Sequence, residues 1–221
     1  MKLETGGDAG DGSYKEEEHK VARTQLALIR HGETDWNREK RNQGQRDIPL
    51  NAEGVRQAQL LAERLAGERW NAVYSSDLGR AAATARAIAE ALGMELGGYD
   101  GRLREQSFGR LEGTTEAERI ALWGERWSDL EHGVETEASV QERAFAAVRH
   151  FAGRHPGERI IMVSHGAWIG YLIDRLFPQM EREKMKNTSV TMLELEGDSW
   201  ACSLFNCARH LDTFGDPVAV K

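Results

Sequence analysis

The segments of this chain whose side chains could do chemistry are Arg30-His31-Gly32, Ser75-Ser76-Asp77-Leu78-Gly79-Arg80, Glu105 and Ser164-His165-Gly166. The first follows the apolar run 25–29, the second the run 70–74, and the last the run 159–163. Glu105 lies beyond a weaker run that begins at 94–96 and breaks at glycines. Short apolar runs of this kind read as strands buried on both faces. In an open parallel sheet, ligands bind just past the carboxyl ends of the strands. Four strand ends would then deliver two arginines, two histidines and one glutamate to the same edge. Taken singly, each residue has a plainer reading: a strand-end histidine satisfying the backbone, a solvated helix arginine, an exposed loop acid. Their joint placement is what argues for a site.

That set suits phosphoryl transfer. The moving group spreads negative charge over three equatorial oxygens, which Arg30 and Arg80 can grip with planar, bidentate donors. The start of the helix after Ser76 would add backbone donors. One imidazole, kept neutral by the flanking arginine charges, can attack phosphorus in line. The other, if protonated, can donate to a phosphoryl oxygen. The carboxylic acid can protonate the leaving oxygen and then serve as base for water. Metal ligation by His31 and His165 is the weaker alternative, for want of clustered carboxylates.

The elements that must position these groups follow from periodicity. Residues 52–66 place Val55, Ala58, Leu61, Ala62 and Leu65 at helical spacing. Asp77 is a candidate N-cap for an Ala-rich helix to Leu92, and 115–130 puts Ile120, Trp123, Trp127 and Leu130 on one helical face. Helices over 136–151 and 167–177 flank the strand 159–164, and a β-hairpin follows, turning at 196–199. Strands alternating with helices predict an α/β fold: a three-layer α/β/α sandwich with a mostly parallel sheet and an antiparallel edge strand. Residues 1–20 read as a disordered, acidic tail, 24–207 as the folded body and 208–221 as a C-terminal tail.

Composition sets the limits. Twenty-nine basic against 36 acidic side chains give a net charge of −7. That argues against nucleic acid and anionic membrane as partners, and on its own against an anionic substrate. No apolar stretch approaches the length of a membrane span, and no signal peptide opens the chain, so a cytoplasmic location is expected. Cys202 and Cys207 read as free thiols.

Several motifs in order then resemble one family. Arg30-His31-Gly32-Glu33-Thr34, Trp36-Asn37, Gln43-Gly44 and Asp47-Ile48-Pro49-Leu50 look like the signature of the histidine phosphatase (phosphoglycerate mutase-like) superfamily. Ser75 to Ala81 with Thr84-Ala85, Leu103-Arg104-Glu105, Phe108-Gly109, Glu112-Gly113 and Val163-Ser164-His165-Gly166 match its later blocks. The resemblance implies that His31 becomes phosphohistidine, Glu105 is the proton donor, and Arg30, Arg80 and His165 form the phosphate pocket. It also implies that Asn37, Gln43 and Gly44 line the substrate site and that neither metal nor organic cofactor takes part. The chain departs from the family at Gly133-Val134-Glu135-Thr136, which bears on substrate fit. The resemblance makes 24–207 the catalytic domain and 107–136 a cap insertion, and this short helical cap of about thirty residues looks like the broad-specificity phosphatase branch, acting on small phosphorylated metabolites. A phosphoglycerate mutase or a non-catalytic phosphoprotein-binding module are the alternatives. Oligomeric state is left open.

Overall fold

The computed structural model describes residues 23–181 and 183–214, so the acidic tail expected at 1–20 lies outside the described residues. Six strands form one sheet: β1 (Thr24–Arg30), β2 (Ala72–Ser75), β3 (Gly98–Tyr99), β4 (Arg159–Ser164), β5 (Val190–Glu196) and β6 (Ser199–Cys207). Their order is β3-β2-β4-β1-β5-β6. Pairing is parallel from β3 to β1, and the β5–β6 hairpin supplies the antiparallel pairs at one edge.

Strand β1 shows why the sheet has three layers. Leu26, Ala27, Leu28 and Ile29 are all fully buried. Leu26 and Leu28 pack with helices α5 (Glu137–Arg154) and α6 (Gly166–Leu176), whereas Ala27 and Ile29 pack with α2 (Ala52–Ala66) and α3 (Gly79–Ala91). Alternate side chains of a strand point to opposite faces, so a continuous apolar run needs cover on both. Burying each large side chain contributes roughly 1.5–3 kcal/mol. This core fixes the strand ends.

Four expectations shift. The third strand lies at Gly98–Tyr99, past the predicted 94–96: Met94 and Leu96 pack against the α2/α3 side, and the first bond to β2 is from Gly97 N–H to Val73 O at 2.8 Å. Helix α3 begins at Gly79 without a side-chain cap from Asp77. Asp77 instead pairs with Arg104 at 2.5 Å, and Asp47 Oδ1 accepts from the Gly79 N–H at 2.7 Å. The helix predicted over 115–130 is α4 (Glu116–Trp123) followed by a 3-10 turn (Trp127–Asp129), broken where Gly124 takes φ of +80°. Trp123 and Trp127 pack on His132 within this cap, with ring centroids 4.7 and 6.3 Å away, and Leu130 is exposed. Finally, the C-terminal segment expected to be a tail from 208 includes a 3-10 helix, Arg209–Phe214, whose His210 is only 6% exposed. No described helix is long and apolar enough to cross a membrane.

Candidate active site

Register brings the strand-end groups together. Arg30 lies opposite Ser164 across the β1–β4 pair, and Ser75 opposite Val163 across β2–β4. The residues that follow, His31 and His165, therefore leave neighbouring strands at the same level. Their ring centroids are 5.1 Å apart. The main chain at His31 is held from both sides: its N–H donates to Ser164 O at 3.0 Å, and its carbonyl accepts from Asn187 Nδ2 at 3.0 Å and Thr188 N at 3.3 Å. Gly32 is required by close approach to α2. A Cβ there would stand 2.5 Å from Gly54 O.

Both nitrogens of His31 are specified. Nδ1 lies 2.7 Å from Gly32 O, so it carries the proton and donates. Nε2 accepts from Arg80 Nε at 3.2 Å and carries the lone pair. Burial first, then the charges of Arg80 and Arg30, hold the His31 pKa well below its usual 6.5. The flanking arginines act in the direction expected of them, and loss of water is the larger cause.

Arg80 is fully buried, yet its donors are used. Nη1 and Nη2 donate to the carbonyls of Arg46 at 2.7 Å and Gly44 at 2.8 Å, which is how Gly44 enters the site. Burial lowers its pKa to about 10, opposed chiefly by the Glu105 charge, so it is cationic at neutral pH. Arg30 donates from Nη1 to Met185 O at 2.5 Å. His165 lies behind His31, its Nε2 2.9 Å from Ser76 Oγ. Burial, then Arg80, depresses its pKa well below 6.5. The protonated form that donation from this ring was conditional on is thus disfavoured, by burial and by the charges of Arg80, Arg30 and Arg143.

Glu105 reaches the site on the loop after β3. Arg143 of α5 ties the carbonyls of Arg102, Arg104 and Glu105 and pairs with Glu135, 2.9 Å away. The Glu105 carboxyl accepts from Gln106 N and Trp168 N at 3.0 and 3.1 Å and from Ala167 N at 3.3 Å. The start of α6 therefore orients the acid. The start of α3, expected to offer backbone donors to phosphate, brings the Arg80 side chain to the cavity, while its first N–H, that of Gly79, donates to Asp47.

A cavity of about 310 Å³ opens among these groups, lined by Arg30, His31, Arg80 and Glu105, with Asn37 and Gln43 also on its wall. Two buried polar atoms of the lining residues, Arg30 Nε and Gln43 Oε1, and a third beside His31 but off the lining, His165 Nδ1, have no partner among the described residues. Such orphans are costly unless something else binds them, which marks a ligand site. Asn37 spends its Oδ1 on Thr34 N and Asn187 Nδ2, each at 3.2 Å. Phe108 and Lys184 also line the cavity, as does Arg41, which grips the cap through Glu118 at 2.5 Å. Phe108 enters the sequence reading only as part of a motif block, and Arg41, Lys184, Asn187, Thr188 and Arg143 do not enter it as site residues. Only Asn187-Thr188, two polar residues just before an apolar strand, offered the strand-end signal in mirror image.

The model of the histidine phosphatase superfamily (branch 1) matches residues 26–208. Phosphoglycerate mutase-like protein 4 of Arabidopsis thaliana is 36% identical over 203 residues, covering 86% of this chain and 88% of that one. The metal-independent phosphoserine phosphatase of the same plant is 35% identical over 202 residues, covering 87% and 85%. Among solved structures, phosphoserine phosphatase from Entamoeba histolytica in complex with 3-phosphoglyceric acid superposes with a TM-score of 0.72 at 32% identity, covering 85% and 99%. A family match across nearly the whole described fold, with relatives this similar end to end, establishes that the chain is an enzyme of the histidine phosphatase superfamily, branch 1.

Proposed function

We propose that this enzyme is a metal-independent phosphomonoesterase that hydrolyses small phosphorylated metabolites through a phosphohistidine on His31. The observation that carries the reading is the His31 imidazole: neutral, with Nδ1–H fixed on Gly32 O and the Nε2 lone pair turned toward a cationic cavity. The Arg80 guanidinium that caps this lone pair is itself a phosphate donor. An arriving phosphoryl group gives it a better acceptor and frees Nε2 to attack. The P–N bond forms as the ester P–O bond breaks, Arg30 and Arg80 stabilise the equatorial oxygens, and Glu105 gives its proton to the leaving oxygen. His165 donates from Nδ1–H toward the same oxygens, in the tautomer whose Nε2 accepts from the Ser76 hydroxyl. Glu105 then takes a proton from water, whose oxygen attacks phosphorus and releases phosphate and free His31.

Rapid quench with a labelled aryl phosphate should trap label on the protein in an acid-labile, base-stable form. Replacing His31→Ala should abolish the trapped label and lower kcat/KM by about 10³-fold or more. Undiminished turnover by that variant would falsify the reading. Activity should also survive dialysis against EDTA.

The names of the relatives point to phosphoserine and 3-phosphoglycerate as the first substrates to assay. The name of one relative also keeps a mutase in view. Incubation with 3-phosphoglycerate separates the two: free phosphate supports hydrolysis, and an isomerised phosphoglycerate supports the mutase.

A further inference from the structure

Thr188 is a β-branched residue at φ of +54°, a left-handed conformation that L side chains rarely adopt. Strain of this kind persists only where the surroundings over-determine it. Its neighbours do so through one chain of bonds. His210 Nε2 is 3.0 Å from Thr188 Oγ1, and His210 Nδ1 is 3.3 Å from Arg64 Nη1. A guanidinium only donates, so Nδ1 accepts and Nε2–H donates to the Thr188 hydroxyl. That hydroxyl in turn donates to Asn187 O at 2.8 Å. The neutral ring this requires agrees with a His210 pKa lowered to about 4, by burial first and the Arg64 charge second, against the opposing charge of Asp212.

The chain of bonds ends at the nucleophile. The turn it fixes presents Asn187 Nδ2 and Thr188 N to the carbonyl of His31, and Asn187 Nδ2 also meets Asn37 Oδ1 on the cavity wall. We propose that His210 is a positioning residue for the reaction: from the C-terminal 3-10 helix it locks the 187–188 turn in its strained form, and through that turn holds the backbone of His31 at the level where Nε2 faces the phosphate. The proposal rests on His31 being the nucleophile, and adds a part of the machinery from the far end of the chain. Thr188 is fully buried and His210 nearly so, and neither lines the cavity, so neither touches substrate.

The test compares H210F, which keeps a ring and loses the bonds to Thr188 and Arg64, with H210Q, which keeps an N–H donor at the same reach. T188V keeps the shape of Thr188 and lacks the hydroxyl. Three quantities are read on the full chain: the rate of phosphoenzyme formation with an aryl phosphate, KM, and the nitrogen NMR signals of the His31 ring in the folded protein. H210F should slow phosphoenzyme formation roughly tenfold or more, leave KM within about twofold and move the His31 signals, since small displacements of a reacting group are costly. H210Q should recover to within about threefold of the parent, and T188V should reproduce H210F, the double variant being no worse than either single one. Unchanged His31 signals together with an unchanged rate per folded molecule in H210F would overturn the proposal, as would a deficit that H210Q does not relieve. If H210F does not fold, T188V carries the same comparison, and wild-type rate and signals there would overturn it. Should the parent form no phosphoenzyme, the hydrolytic reading fails, while the His31 signals still decide whether His210 positions that ring.

Discussion

The acid of this site is held by backbone. Three N–H groups, from Gln106, Ala167 and Trp168, meet the Glu105 carboxyl, and Arg143 fastens the loop beneath it. A glutamine at position 105 offers the same oxygen to the Trp168 N–H and cannot give up a proton as a carboxylic acid does. Glu105→Gln should therefore fold normally and lose roughly 10²–10⁴-fold in kcat, the loss being greater for alkyl than for aryl phosphates. A leaving-group series measures this directly. Equal losses across the series would remove Glu105 from the proton-donor role. Arg30, His31, Arg80, Glu105 and His165 were all legible in the sequence as polar residues at strand ends. Arg143 was not, because it sits in the middle of α5, where an arginine usually solvates a helix face.

At the scale of elements, His31 is placed by how tightly α2 meets the loop after β1. A Cβ on Gly54 would fall 2.0 Å from Glu33 O, and one on Gly32 would meet Gly54 O. The two backbones touch, and no side chain fits between them. Gly54→Ala should push α2 from the loop at a cost of about 1–3 kcal/mol, as overpacking usually does. The urea midpoint should fall, and turnover per folded molecule with it, because Gly32 moves together with His31. A midpoint unchanged from the parent would show that the contact relaxes freely. The helix over 52–66 was visible in its apolar spacing, whereas the cap was misread. Trp123 and Trp127 share a helical face in the sequence, yet Gly124 breaks the helix between them and both rings fold onto His132.

On the scale of the whole molecule, the fold keeps histidines neutral inside it. His31, His165 and His210 all have pKa values lowered by burial, His210 to about 4. In the unfolded chain they titrate near 6.5. Between that value and each folded pKa the unfolded chain binds more protons, so stability falls as pH falls. The full contribution is present above pH 6.5, and His210 loses its share progressively down to about 4. Melting temperatures taken from pH 7.5 to 4.5 should drop on the acid side, and H210F should show a shallower drop than the parent. Parallel curves would mean that His210 titrates alike in both states. The net charge of −7 that argued against an anionic substrate describes the surface. The cavity gathers Arg30 and Arg80 regardless, since a local field depends on what the strand ends bring within reach.

The sequence by itself determined the alternation of strands and helices, the edge of the sheet where chemistry collects, and the five side chains gathered there. These are local properties: an apolar run is buried on both faces wherever it occurs, and the residue after it must emerge at the strand end. Tertiary structure decided the rest. It chose which nitrogen of His31 carries the lone pair, buried His165 among arginines, seated Glu105 on the start of α6 and joined His210 through the 187–188 turn to the carbonyl of His31. Such bonds join residues as far apart as His31 and Asn187, and no spacing along the chain encodes them. They exist only once the core has brought β1, β4 and the C-terminal turn to one place.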